Sequence, residues 1–153
     1  MKKIIIIIGI LLVLILGYWL VSPFFIDKKV SEDLPIVQTQ DMTNQVKEVK
    51  KGTFTGFDKV HTGSGTARIV TIGTKNYIRF DEDFNVNNGP DLYVGLGENG
   101  SYIKGSELGK LKGTIGSQNY ELPQNIDPAE VTEVWVWCRA FSVPFTKAVL
   151  ENI

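Results

Sequence analysis

The sequence predicts an all-β domain, an antiparallel β-sandwich or barrel-like body of about seven to nine short strands, preceded by one N-terminal transmembrane helix. Three observations carry this. Residues 4–26 contain no charge, and 19 of those 23 are apolar. The rest of the 153-residue chain is polar and punctuated by glycine, with short β-like runs between turn signals. No helix–strand alternation runs through it, which argues against a parallel α/β domain. The overall apolar content of 43% is therefore an average over two unlike parts, since removing residues 4–26 leaves 47 of 130, about 36%. At this length one domain is expected, and about 100 residues suffice for one β core.

The first element follows Met1-Lys2-Lys3. Ile4 to Val21 are 18 residues that are apolar or glycine, and a helix of that length covers about 27 Å, close to the hydrocarbon thickness of a bilayer. Its seven Ile, five Leu and two Val favour insertion by about 4 to 8 kcal/mol as an upper bound. Tyr18 and Trp19 stand at the far end, where aromatic belts form, and Pro23 disfavours helical geometry at Ser22. A cleaved secretory peptide and a buried core helix are the competing readings. The run is longer than a secretory core and no small-x-small triplet follows it, so residues 1–26 are read as an uncleaved signal anchor spanning the bilayer through residues 4–22. Lys2 and Lys3 favour an inside N-terminus, which puts the body on the extracytoplasmic side of the cell membrane, single-pass.

Residues 27–50 are polar, interrupted by Pro35, and read as a solvated stalk, with a short helix over Met42–Lys50 as an option. The β body is expected over 51–153. Its first runs are Thr53–Phe57 and Thr66–Ile72, the latter turning through Gly73-Thr74-Lys75-Asn76 into Tyr77–Phe80. Asp91–Leu96 follows Gly89-Pro90, and Asn99-Gly100 is a hairpin signal. Leu108–Ile115 and Gln118–Leu122 come next. Asp127-Pro128 reads as the cap of one helical turn, before the last strands Val131–Arg139 and Val143–Leu150.

Charge and motifs exclude several functions. The net charge is −1, and the body 27–153 carries 14 basic and 17 acidic residues, so nothing points to nucleic acid. One cysteine and one histidine cannot form an intramolecular disulfide or a structural zinc site, and the metal expectation is none. Asp81-x-Asp83-x-Asn85 opens like a calcium loop, but Val86 and Leu92 stand where Gly and Glu belong. There is no G-x-S-x-G, H-E-x-x-H or phosphate loop, hence no recognisable catalytic triad or metal motif. Two candidates remain. Cys138, in Val134–Arg139, shares a strand face with Val134 and Val136, opposite Trp135, Trp137 and Arg139. It is either a small buried hydrophobe or a redox thiol or thiolate ligand. His61, in the turn-like stretch Asp58–Gly65, is either a turn residue or a weaker partner for Cys138 as ligand or proton carrier.

Residues 52–150 resemble the DM-thirteen, or electron-transfer DM, domain, as a membrane-anchored, bacterial-type member. The resemblance lies in Gly52-x-Phe54, in Asp58-x-x-His61 through Gly65-x-Ala67, and in Asp83-Phe84 leading to Gly89-Pro90-Asp91-Leu92-Tyr93-Val94. It continues in Leu108-Gly109-x-Leu111-Lys112-Gly113 and Gly116-x-Gln118-x-Tyr120-x-Leu122-Pro123. It ends in Val136-Trp137-Cys138-x-x-Phe141-x-Val143-x-Phe145, which with Gly-Pro-Asp is the most specific element. The resemblance implies a β-rich extracytoplasmic domain with an electron-transfer or redox role, through a bare thiol or a bound group such as haem, and its characteristic cysteine maps onto Cys138. The expected partners are the lipid bilayer and an unidentified redox partner. The alternative is a non-catalytic cell-surface module binding a protein, glycan or small ligand, for which Tyr77, Tyr93, Trp135 and Trp137 are the candidate aromatic surface.

Overall fold

A run without charge from Ile4 to Val21 has one regular solution where water is excluded, and Lys2–Val21 is helix α1. The structure is a computed structural model and describes residues 2–22, 26–35 and 46–153. No part of the Lys2–Trp19 stretch is buried, so α1 is not a core helix. It is long and apolar enough to cross a membrane, as an anchor or a signal sequence would.

The body is mostly antiparallel β. Its strands are β1 (Val46–Gly56), β2 (Gly63–Ser64), β3 (Thr66–Ile72), β4 (Lys75–Phe80), β5 (Asn85–Val86), β6 (Leu92–Glu98), β7 (Ser101–Tyr102), β8 (Gly109–Lys110), β9 (Gln118–Glu121), β10 (Glu133–Cys138), β11 (Val143–Val149) and β12 (Glu151–Asn152). One sheet runs β7-β6-β10-β11-β1-β3-β4-β9, with β8 added on β6 and β12 on β1, while β2 and β5 form a separate pair. The sheet curls into a half-barrel. Strand β1 makes the bend. Its length from Val46 to Thr53 pairs with β3, its end from Phe54 to Gly56 pairs with β11, and the register shifts between Glu48 and Lys50. The resulting trough is filled by Phe54, Phe80 and Phe84, whose ring centroids lie 4.5–5.0 Å apart, with Val94, Val134 and Val136 beside them. Burying such side chains contributes roughly 1.5–3 kcal/mol each.

The expected runs at 66–72, 77–80 and 118–122 are found with small changes of boundary, and 99–100 is a hairpin turn with Asn99 and Gly100 both at positive φ (52° and 77°). Asp127 caps the next turn, its Oδ1 accepting from the Ala129 N–H at 2.8 Å. Two expectations need correction. Leu108–Ile115 is strand only at Gly109–Lys110. Beyond that the buried Gln118 side chain stands in for a neighbouring strand, its Oε1 accepting from the N–H groups of Lys112 and Gly113 and its Nε2 donating to the Gly113 carbonyl. Residues 111–117 thus cross the open side of the half-barrel, from β8 on β6 to β9 on β4.

The second correction concerns residues 27–50. Val46–Lys50 are strand, not helix or spacer, and Met42–Gln45 lie outside the described residues. Residues 28–34 form a strap along 113–119. The Val30 N–H donates to the Ile115 carbonyl and the Glu32 N–H to the Ser117 carbonyl, both at 2.9 Å, and the Thr114 N–H returns a bond to Lys28. Glu32 fixes the strap. Its carboxylate takes Lys112 Nζ at 2.8 Å and the Asn119 N–H at 2.9 Å. Burial pushes the Glu32 carboxyl up, but Lys112 and the Asn119 N–H outweigh it and hold it below its ordinary range. Leu34 then packs on the outer face of β3 and β4, against Val70, Ile72 and Tyr77.

Candidate functional site

Strand β10 lies between β6 and β11, so each of its side chains has neighbours on two sides. Alternation sorts them as the sequence suggests. Val134, Val136 and Cys138 enter the core with no exposed surface. Cys138 pairs in register with Leu92 and Val143, and the cluster around it is apolar. Its neighbour Arg139 leaves the core. The Arg139 guanidinium lies 4.1 Å from the centroid of the Tyr93 ring, and its Nε donates to Asp91 at 3.1 Å.

His61 is placed elsewhere. Its Nδ1 lies 2.7 Å from Asp58 Oδ2 and its ring meets Phe145 edge-on at 4.8 Å. The same Asp58 accepts from the backbone N–H groups of Val60 and His61, which makes the loop a side-chain-closed turn. The His61 contact and these N–H groups hold the Asp58 carboxyl down at about 2. No hydrogen bond joins His61 to Cys138. Asp81 and Asp83 are likewise engaged, Asp81 by Arg68 at 2.7 Å and Asp83 by the Thr66 N–H and hydroxyl, each at 2.9 Å. Among the described residues no group of three or more His, Cys, Asp or Glu could hold a metal.

A haem on Cys138 needs a slot beside Sγ for the macrocycle. The thiol has no exposed surface, and the groove lined by Trp135 and Trp137 of the same strand does not include it. The closed core does not fit haem at this cysteine.

The outer face of β10 is different. Trp137 is half-buried and stacks on Tyr102 at 4.7 Å with the rings within 7° of parallel. Trp135 stands 6.2 Å from Tyr102 and 5.0 Å from Phe57. Its indole N–H donates to Glu133 at 2.8 Å, and Lys147 Nζ lies 5.2 Å from its ring centroid. These rings floor a groove of about 740 Å³, rimmed by Lys104, Glu107, Arg139 and Ser142. Burial, with the nearby Glu107 carboxylate, pushes the Tyr102 phenol up to about 12. Of the four aromatic residues singled out from sequence, Trp135 and Tyr77 are buried, Tyr77 in the separate cluster under Leu34, while Tyr93 and Trp137 are half-exposed. Tyr102 and Phe57 were missed. The signal for Tyr102 was present: a two-residue Asn99-Gly100 turn puts residue 102 opposite Gly97, which pairs in turn with Glu133, two residues before Trp135 on the next strand. Nothing in the loop sequence announces Phe57.

Among comparisons with known proteins, a family model described as Electron transfer DM13 matches residues 53–150. No curated protein and no solved structure matches the chain.

Proposed function

The chain belongs to the electron-transfer DM13 family, and from that premise we propose that it is a membrane-anchored electron-transfer domain whose redox centre is Cys138. The observation that carries the reading is the extent of the match: residues 53–150 take in almost the entire β body, Cys138 included. Helix α1, long and apolar enough to span a bilayer, supports the anchor, and Lys2 and Lys3 ahead of it favour an inside N-terminus with the body on the extracytoplasmic side.

Burial limits how Cys138 can act. A thiol with no exposed surface meets neither a partner's thiol nor a soluble oxidant, so disulfide exchange and sulfenic acid formation are closed to it in the folded state. Electron exchange by contact is closed too, which leaves one-electron oxidation of the thiol to a thiyl radical, the proton released and the electron passed through the intervening protein to an oxidising electron partner. One residue along β10 stands Trp137, an aromatic ring that reaches the surface and stacks on Tyr102 in the outer groove. An electron partner would dock there.

A redox titration of the purified full chain tests this. The expected result is reversible one-electron oxidation of the chain by the titrant, the Cys138 thiol giving up one electron and its proton to become a thiyl radical and regaining both on reduction, and Cys138→Ala abolishes it while the far-ultraviolet spectrum stays that of a β protein. Oxidation equal in both chains would remove Cys138 from the centre, and none in either would remove the redox role.

The groove favours a second reading, a non-catalytic module that binds a glycan or small ligand on the Trp137–Tyr102 stack, with Lys104, Glu107 and Arg139 as its polar contacts. Tryptophan fluorescence during titration with a glycan panel separates the two. A saturable change lost in Trp137→Ala, with no reversible oxidation, would decide for binding.

A further inference from the structure

We propose that one end of the half-barrel rests on the lipid bilayer and sets the loop tips Val60 and Phe141 into its interfacial layer. This goes beyond the anchor reading of α1 and rests on it.

The strand registers gather three loops at one end. Gly56 faces Thr146 near the close of β1, and Cys138 faces both Val143 and Leu92. The segments 57–62, 87–91 and 139–142 therefore emerge side by side. Hydrogen bonds tie them into one surface. Asn87 Nδ2 donates to the Val60 carbonyl at 2.7 Å, and the Asn87 N–H to the Thr62 carbonyl at 3.1 Å. The Arg139 N–H donates to the Asp91 carbonyl at 3.0 Å.

The chain from the helix arrives at this same end. Asn88 Nδ2 donates to Asp27 Oδ1 at 2.6 Å, next to the residue that holds Val60. Helix α1 ends at Val21. Six peptide steps separate Val21 from Asp27, and fully extended they span at most about 22 Å. A helix end in the bilayer headgroups therefore brings Asn88 and its three loops to the membrane surface.

The side chains suit that place. Val60 is 69% exposed, Phe141 65% and Ile26 58%, each on the outside of this end. The opposite end turns through Gly73-Thr74 and Asn99-Gly100, with no apolar side chain at either turn. Exposed Lys28, Lys59, Lys110 and Arg139 interleave the apolar tips, where amphipathic interfacial segments carry their cations. The acids among them are engaged, Asp58 with His61, and Asp91 with Arg139 and, at 3.7 Å, Lys110. Most of the Val60 and Phe141 surface is open, so the occupant they fit is the lipid surface that the chain's own tether supplies.

The test uses the full chain reconstituted into phosphatidylcholine vesicles. Val60→Cys, Phe141→Cys and, at the far turn, Thr74→Cys each carry an environment-sensitive fluorophore, with the wild-type chain as the labelling control for buried Cys138. Some of the lipids bear spin labels near the top of their acyl chains. The expected result is quenching several-fold stronger at 60 and 141 than at 74. Flotation after a carbonate wash reads the anchor separately. A chain that floats with its labels at 60 and 141 quenched no more than at 74 overturns this proposal and leaves the anchor standing. A chain washed off the vesicles overturns the anchor reading, and this proposal with it.

Discussion

Cys138 shows what a residue gains and loses from its strand. Period-2 alternation made its face legible beforehand, because Val134 and Val136 share it. Its complete burial was not, since that depends on β6 and β11 closing on both sides of β10. The burial sets the cost of change. Cys138→Ser puts a hydroxyl where only apolar groups lie, and a loss of about 1–3 kcal/mol is expected in urea denaturation, more than for Cys138→Ala. The aromatic tier depends on what is absent beside it. A Cβ at Gly97 would overlap the Trp135 indole, so Gly97→Ala is expected to cost about 1–3 kcal/mol and shift tryptophan emission as the ring is pushed from Glu133. Unchanged emission would show that Trp135 does not lie on Gly97. His61 was harder to place, since a lone histidine in a turn-like stretch reads the same whether it closes the turn or serves a site. Its bond to Asp58 favours the former.

The strap is the element the sequence hid. Lys28-Lys29-Val30-Ser31-Glu32-Asp33 has the composition of a solvated spacer. Its docking rests on backbone hydrogen bonds and on Glu32 meeting Lys112, 80 residues away, which no local periodicity encodes. Strands β3, β4, β6, β10 and β11 were legible because each buries one face and is bounded by turn residues. The strap's stability is expected to depend on pH. Because the folded Glu32 carboxyl lies below its ordinary 4.5, its contribution is complete above that pH and is lost as the pH falls through the lowered folded value. Amide hydrogen exchange at Val30 and Glu32 reads this directly. Exchange should quicken on acidification beyond the intrinsic pH effect, and Glu32→Gln should remove that excess. Gly113→Ala is expected to release the strap at every pH, since its Cβ would run into Val30 and the Lys28 carbonyl.

At the scale of the molecule, the docked strap removes the freedom that a solvated stalk over 28–34 would give. Asp27, six residues past the end of α1, is held by Asn88. On the proposed reading a β domain so placed would exchange electrons beside the membrane, because Arg139 and Ser142, at the proposed bilayer end, also rim the aromatic groove. The fold class and the family pattern around Gly89-Pro90-Asp91 and Trp137-Cys138 were readable from sequence. The closed core was not, and it turns the cysteine from a contact site into an insulated one.

The central claim is that a buried Cys138 gives up one electron through the protein, with its proton, and regains both. Voltammetry of the full chain adsorbed on an electrode tests it most directly, comparing wild type, Cys138→Ala and Trp137→Phe. The account predicts a reversible wave in the wild type, none in Cys138→Ala, and in Trp137→Phe a wave at the same potential with transfer slowed about tenfold or more. A wave that survives in Cys138→Ala would contradict it.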